Sequence, residues 1–207
     1  KKLPSGAGMG GGSSDAATVL LALNRLWGLC WPRERLLPLA AQLGADVPFF
    51  IFGRPALAQG IGEQLSAVDL PPQRFAVVKP PVSLATADIF GSPLLARNTP
   101  SSIIMGSLES TALAGLSNGP SSWYGHNDLQ PPAESVAAEV AQAARWLESR
   151  FGNSRMTGSG SAVFSRVGAG DLPKTTWPGD GSDALPEGWV GRLCRSLPHH
   201  PLVDWAD

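Results

Sequence analysis

The sequence predicts a chain that mixes helices with short strands, and three observations carry that expectation. A run with five glycines in seven positions, from Gly6 to Gly12, opens straight into an apolar helix pattern. Short apolar or alternating runs bounded by Gly and Pro follow at residues 49–52, 56–61 and 74–79. A long amphipathic stretch then covers residues 133–151.

Taken in order, residues 14–27 read as a helix because Ala16, Ala17, Val19, Leu20, Leu23, Leu26 and Trp27 recur at helical spacing, with Ser13 and Ser14 placed to cap its start. A second helix spans residues 32–43, entered at Pro32 and ended at Gly44. Residues 49–52 and 56–61 read as two strands turned by Gly53-Arg-Pro55. Asp69-Leu-Pro-Pro72 marks a domain boundary, which divides the chain into residues 1–70 and 71–207. Beyond it come a strand at 74–79, a short helical or turn segment at 86–90, and the amphipathic helix at 133–151. Strands at 162–166 and 189–192 complete the set. Residues 101–122, rich in Ser, Gly and Ala, read as a helix with a loose loop, and residues 167–186 as an exposed connection. No internal repeat is visible.

Composition narrows the partners. With 16 Lys and Arg against 17 Asp and Glu the net charge is −1, and no basic stripe or run occurs, so neither a nucleic acid nor an anionic membrane surface is indicated. A small-molecule partner is expected. No apolar run reaches bilayer length, and the start lacks the charged-then-apolar pattern of a signal peptide. Cys30 and Cys194 lie far apart without metal-ligand spacing, which fits a reducing, cytoplasmic compartment. His126, His199 and His200 show no ligand pattern, the seven Trp read as packing, and no Ser/His/Asp or Cys/His set stands out.

The chemistry concentrates in the glycine run. Without Cβ atoms its backbone can take φ > 0 and let an anion approach main-chain N–H groups, and the helix that follows adds unpaired first-turn amides and the positive end of its dipole. The loop is not a Walker A motif, because Gly12 rather than Lys precedes Ser13. Nor does a Rossmann reading hold, since only Lys1-Lys2-Leu3 stands before it. The remaining alternative is a flexible Gly/Ser linker, against which Pro4 and the regular helix pattern argue. Asp46 is the second candidate. It follows a helix-ending glycine and precedes an apolar run that cannot satisfy a carboxylate, so it serves either chemistry or a turn or cap. A Gly-rich turn at Gly158-Ser-Gly-Ser161 is the third.

Pro4-Ser-Gly-Ala-Gly-Met-Gly-Gly-Gly-Ser-Ser-Asp-Ala-Ala17 resembles the second motif of the GHMP kinase superfamily, small-molecule kinases that hold ATP phosphates in a glycine loop without a Walker lysine. Other segments resemble family motifs in order: Gly44-Ala-Asp-Val-Pro-Phe-Phe50 the catalytic-aspartate segment, Gly60-Ile-Gly-Glu63 the strand after it, and residues 75–90 with Arg97-Asn-Thr-Pro100 the substrate side. Asn127-Asp-Leu-Gln-Pro131 resembles a helix-entry motif and Met156-Thr-Gly-Ser-Gly-Ser-Ala-Val-Phe164 the third motif. The triple glycine followed by Ser-Ser is closest to the members of the non-mevalonate isoprenoid route that act on a cytidine-diphosphate-linked methylerythritol.

The resemblance implies an α+β GHMP kinase fold, with the remainder of an S5-like N-terminal domain, a ferredoxin-like C-terminal domain and the substrate between them. It implies ATP and Mg²⁺ on Pro4, Ser5, Gly6, Ala7, Gly8, Met9, Gly10, Gly11, Gly12, Ser13 and Ser14, and Asp46 as the catalytic group on the substrate hydroxyl. Thr86, Phe90, Gly158 and Ser159 fall at substrate positions, with Thr157 beside them and Ala87 where the family more often has Pro. Phe90 would stack on a pyrimidine. Family members carry strands, a catalytic lysine and cytidine-pocket residues ahead of the glycine loop, and nothing here matches that section. The expectation is a fragment of a longer kinase that is inactive by itself. Other expectations are a GHMP kinase for homoserine, mevalonate or a sugar, or a truncated nucleotide-binding module without activity.

Overall fold

The computed structural model describes residues 3–70, 72–99, 126–169 and 184–206. Its packing divides the chain into two compact units: Lys1–Met9 with Pro71–Ser196, and Gly10–Leu70 with Leu197–Asp207. Against the expected 1–70 and 71–207, residues 1–9 group with the later unit and residues 197–207 with the earlier one. The glycine loop is therefore shared, with the division falling between Met9 and Gly10.

In the unit built on residues 10–70, helix α1 (Gly11–Leu26) packs with α2 (Arg33–Leu43) and α3 (Val47–Phe52), and strands β1 (Ala56–Gln59) and β2 (Gln64–Ala67) form an antiparallel hairpin. The core is Ala17, Leu21, Leu36, Ala40, Val47, Ile51 and Ala206. Helix α2 runs as expected between Pro32 and Gly44. The expected strand at 49–52 is instead the helix α3. Asp46 stands at its N-cap, Pro48 lies in its first turn, Gly53 closes it with a left-handed φ of 77°, and Val47 and Ile51 point one turn apart into the core. A four-residue apolar run does not distinguish the two periods, and here tertiary packing of both residues on α1 and α2 selects the helix. The segment 60–63, expected to be strand, forms the hairpin turn.

The other unit is a four-stranded antiparallel sheet in the order β4-β5-β3-β6, made of β3 (Gln73–Lys79), β4 (Arg155–Met156), β5 (Val163–Ala169) and β6 (Val190–Arg195). Strand β3 is central, with Val78 opposite Val163 on one side and Gly191 on the other, and with an irregularity between Gln73 and Phe75. Placing the β4–β5 hairpin on one side of the first strand and the last strand on the other is the ferredoxin-like arrangement. The α+β class expected from the sequence is thus the observed one. Short helix α4 (Thr86–Gly91) and helices α5 (Gln130–Val136) and α6 (Ala138–Phe151) complete this unit. The expected single helix at 133–151 is interrupted at Ala137, which is extended (φ −139°, ψ 104°). Neither Gly nor Pro marks that position, so the pattern reads as continuous. The calls at 101–122, and most of the connection at 167–186, lie outside the described residues.

The sheet's buried face carries Ala76, Val78, Met156 and Val163, and α6 covers it with Val140, Ala143, Ala144 and Leu147. The small alanines let helix and sheet backbones approach closely. Among the described residues no helix is long and apolar enough to cross a membrane. Leu147 is fully buried in this layer. Leu147→Ala is expected to cost about 3 kcal/mol of stability, read as a loss in urea-unfolding midpoint with an unchanged m-value.

Candidate active site

The first half of the glycine loop is built into the sheet unit by backbone contact. Gly6 and Gly8 are left-handed, with φ of 60° and 66°. A Cβ on Gly8 would lie 2.2 Å from the Thr157 carbonyl oxygen and 2.6 Å from the Gly160 nitrogen, and one on Gly158 would lie 2.7 Å from the Gly8 carbonyl oxygen. The two glycine loops therefore touch main chain to main chain, which any side chain at either position forbids. Polar bonds follow the same seam. The Gly6 carbonyl accepts from the Ser161 N–H at 3.1 Å, the Ala7 carbonyl from the Ala162 N–H at 3.2 Å, and the Gly8 carbonyl from the Thr157 hydroxyl at 3.0 Å. The Ser83 hydroxyl reaches the Ser5 carbonyl at 3.3 Å. Carbonyls on the loop are thus consumed, while the amides of Gly6, Gly8 and Met9 donate to no group among the described residues.

The second half forms the start of α1. Gly10, left-handed at φ 63°, is the N-cap, and the Phe50 ring lies 3.1 Å from where its Cβ would stand. The helix begins at Gly11, three residues earlier than its apolar pattern indicated, so Ser13 and Ser14 sit in its first turn rather than ahead of it. The expected serine cap is absent: no side chain caps this helix and its first turn holds no acidic residue. Its first intrahelical bond is Ser14 N–H to Gly10 C=O at 2.9 Å, which leaves the amides of Gly11, Gly12 and Ser13 without an acceptor in the helix. Gly12 is the telling position. It has no left-handed φ, and a Cβ there would meet nothing within 4 Å. Nothing in the described chain requires that residue to be glycine.

Asp46 lies on the short connection from α2 to α3 and is exposed. The apolar burial expected around its carboxylate is therefore absent, because the run after it turns into a helix whose own face points inward. Its side chain does not cap α3, and it makes no hydrogen bond or ion pair among the described residues. Helix α3 is instead tied at its far end, where the Arg33 guanidinium donates to the carbonyls of Ile51 and Val203.

The remaining candidates gather in the sheet unit. The Thr86 and Ser159 hydroxyls are bonded at 2.9 Å, next to Gly158. Phe90 stands one helical turn after Thr86 and is 50% exposed, while its neighbour Ile89 is buried; Arg97 donates to the Phe90 carbonyl at 2.6 Å. Sequence reasoning named the Asn127 segment without seeing its task. The Asn127 amide donates to the carbonyls of Met156 at 2.9 Å and Gly158 at 2.8 Å, its oxygen accepts from the Leu129 N–H, and the Gln130 side chain accepts from the Met156 N–H. Together they clamp the strand that leads into the Gly158 turn. Lys79 escaped notice altogether. It is only 8% exposed, and its ammonium donates to the carbonyls of Pro80 at 2.8 Å and Val82 at 2.7 Å, with burial pushing its pKa down. The Ser161 hydroxyl donates to the same Val82 carbonyl. A lysine at the end of an apolar strand offers no sequence signal for such a role. Glu63 stands in the turn rather than in the expected strand, where its carboxylate accepts the Ile61 N–H at 2.8 Å. No cluster of three or more His, Cys, Asp or Glu that could hold a metal occurs among the described residues.

Residues 1–54 match the family described as the GHMP kinases N terminal domain. Over 206 residues the chain is 53% identical to the 4-diphosphocytidyl-2-C-methyl-D-erythritol kinase of Methylibium petroleiphilum, covering 100% of this chain and 68% of that one. It is 46% identical to the enzyme of the same name from Polaromonas naphthalenivorans, with 99% and 64% covered, and 48% identical to that from Variovorax paradoxus, with 100% and 69% covered. A crystal structure of 4-(cytidine 5'-diphospho)-2C-methyl-D-erythritol kinase superposes with a TM-score of 0.64 at 37% identity, over 80% of this chain and 59% of that chain. Homoserine kinase from Cytophaga hutchinsonii gives 0.59 at 17% identity over 97% and 69%, a likeness of fold alone.

The two glycines make a contrast that separates packing from ligand demand. Gly8→Ala is expected to lose about 2–4 kcal/mol through clash and left-handed strain, whereas Gly12→Ala shifts stability by less than about 1 kcal/mol. Chemical denaturation of the two variants checks this, and equal losses would remove the distinction.

Proposed function

The chain belongs to the 4-diphosphocytidyl-2-C-methyl-D-erythritol kinase family of GHMP kinases, and from that premise we propose how the protein, in its full length, performs that reaction: transfer of the γ-phosphoryl group of ATP to the 2-hydroxyl of its cytidine-diphosphate-linked methylerythritol substrate. The observation that carries the assignment of the ATP site is Gly12, a glycine that nothing among the described residues explains, in the acid-free first turn of an uncapped helix. Space above that turn, together with amides that have no internal acceptor, suits a polyphosphate.

In this reading residues 4–14 cradle the triphosphate. Gly8 and Gly158 keep the first half of the loop fixed, so its amides are oriented before ATP arrives and little reorganisation accompanies transfer. Asp46, exposed and unengaged by its own helix, accepts a hydrogen bond from the acceptor hydroxyl, holds it in line and takes its proton as the new P–O bond forms. Thr86, Ser159 and the Gly158 backbone bind the substrate, and Phe90 offers a half-exposed ring for a cytosine to stack on. A Mg²⁺ accompanying ATP would be held on the protein side by the Ser13 or Ser14 hydroxyl in the first turn of α1. When bound it neutralises charge on the transferring phosphate. The free thiols of Cys30 and Cys194 support a cytoplasmic location.

Gly12→Ala is expected to weaken ATP binding about tenfold or more by calorimetry while leaving the melting temperature in place, because a methyl group would occupy phosphate space. Unchanged affinity removes the helix start from the ATP site. Asp46→Asn in the full-length protein is expected to lower kcat by roughly a hundredfold or more with the KM for ATP within about twofold. Undiminished turnover would take Asp46 out of the reaction.

A further inference from the structure

We propose that Gly62 is a positioning residue for Asp46, its bare Cα fixing where the Ala45–Asp46 peptide lies. The inference rests on the reading of Asp46 as the group that orients the acceptor hydroxyl, and deepens it.

Helix α2 ends at Leu43 and α3 begins at Val47, so Asp46 is the last residue of a three-residue connection and has no side-chain bond among the described residues to hold it. One bond braces that connection from within, Val47 N–H to Gly44 C=O at 3.2 Å. The other support comes from the β1–β2 turn. Gly62 has a φ of +118°, a conformation that L side chains rarely adopt, and a Cβ built on it would stand 2.7 Å from the Ala45 carbonyl oxygen and 3.4 Å from the carbonyl carbon. That carbon is bonded to the Asp46 nitrogen. The turn thus rests on the peptide group that carries the Asp46 backbone.

A contact positions only if the element making it is stiff. Here the Glu63 carboxylate accepts from the Ile61 N–H at 2.8 Å and from the Gln64 side-chain amide at 3.2 Å, and Gly62 N–H donates to the Gln59 carbonyl at 3.1 Å. The carboxylate also lies so close over Gly60, φ +68°, that a Cβ there would be 2.4 Å from it. Backbone hydrogen bonds, its own N–H and that of Ile61 foremost, hold the Glu63 carboxyl below the usual range. The two glycines and the glutamate of Gly60-Ile-Gly-Glu63 therefore each have a place: Gly60 admits the carboxylate, Glu63 locks the turn, and Gly62 meets the Asp46 peptide.

A methyl group at Gly62 would push the Ala45 carbonyl away by several tenths of an ångström or more and swing Asp46 with it. Because transfer depends on the in-line geometry of the acceptor, the expected result for Gly62→Ala in the full-length protein is a kcat lowered about tenfold or more with the KM for ATP within about twofold. Hydrogen exchange at the amides of residues 45–47 rises in parallel. Ile61→Ala, in the same turn but with its side chain 75% exposed, leaves kcat and exchange unchanged. Should Gly62→Ala fail to fold, Glu63→Ala carries the test by loosening the turn without adding an atom at the contact, and is expected to lower kcat severalfold at constant KM for ATP. A kcat within about twofold of the parent in these variants, while Asp46→Asn abolishes turnover, overturns the positioning role and leaves the assignment of Asp46 standing. Full turnover by Asp46→Asn overturns the assignment itself.

Discussion

The structure of the glycine loop depends on one contact, the Gly8 backbone laid against the backbone of Thr157, Gly158 and Gly160. A distance at which no Cβ fits brings loop carbonyls within reach of the Ser161 and Ala162 amides and the Thr157 hydroxyl. Each bond formed there faces a carbonyl into the protein, and a peptide whose carbonyl points one way points its N–H roughly the other. The outward-facing amides of the loop are therefore an outcome of how its opposite edge is paired, as much as of glycine's freedom to turn.

The supports behind this contact form a connected set. Asn127 and Gln130 fix the strand entering the Gly158 turn, Ser161 joins that turn to the Val82 carbonyl, and Lys79 holds Pro80 and Val82 from beneath. The Thr86 hydroxyl then reaches Ser159 from the helix that follows. A buried ammonium whose partners among the described residues are all carbonyls is uncommon, since desolvation is repaid by dipoles rather than by an opposite charge. Here it gathers the carbonyls of two residues, Pro80 and Val82, on irregular backbone beyond the end of β3.

How much of this was legible in the sequence varied with the length scale of the cause. The helix at 33–43 was readable because Pro32 and Gly44 punctuate it, and β3 because its apolar run is long enough to show a period. Residues 49–52 were misread because four apolar residues fit a strand or a helix equally, and the decision came from burial of Val47 and Ile51 against other helices. Gly10 moved the start of α1 forward by taking the left-handed cap itself, which displaced Ser13 and Ser14 from the role their chemistry suggested. In the candidate site, the glycines carried their own signal, but sorting them did not. Gly8 answers to a carbonyl at Thr157, Gly62 to a carbonyl at Ala45, and Gly12 to nothing among the described residues, distinctions that exist only in three dimensions. Asn127 was visible as part of a motif and Lys79 was not visible at all, because a lysine that folds back onto the carbonyls just after its own strand leaves no periodicity or motif.

The pairing of the loop also bears on the order in which the protein assembles. Gly8 and Thr157 are 149 positions apart, so the carbonyls near the amino end find their partners only after most of the chain exists. Closing so wide a span is entropically slow, and during ribosomal synthesis the early loop emerges long before the segment that will seat it. Helices α1 to α3 pack chiefly on one another and can begin to condense first, with Leu202, Trp205 and Ala206 joining their core last. The seam between the glycine loop and the Gly158 turn is then among the last features to set, so a chain stalled before that turn would already have helices yet lack the contact that fixes the first half of the loop.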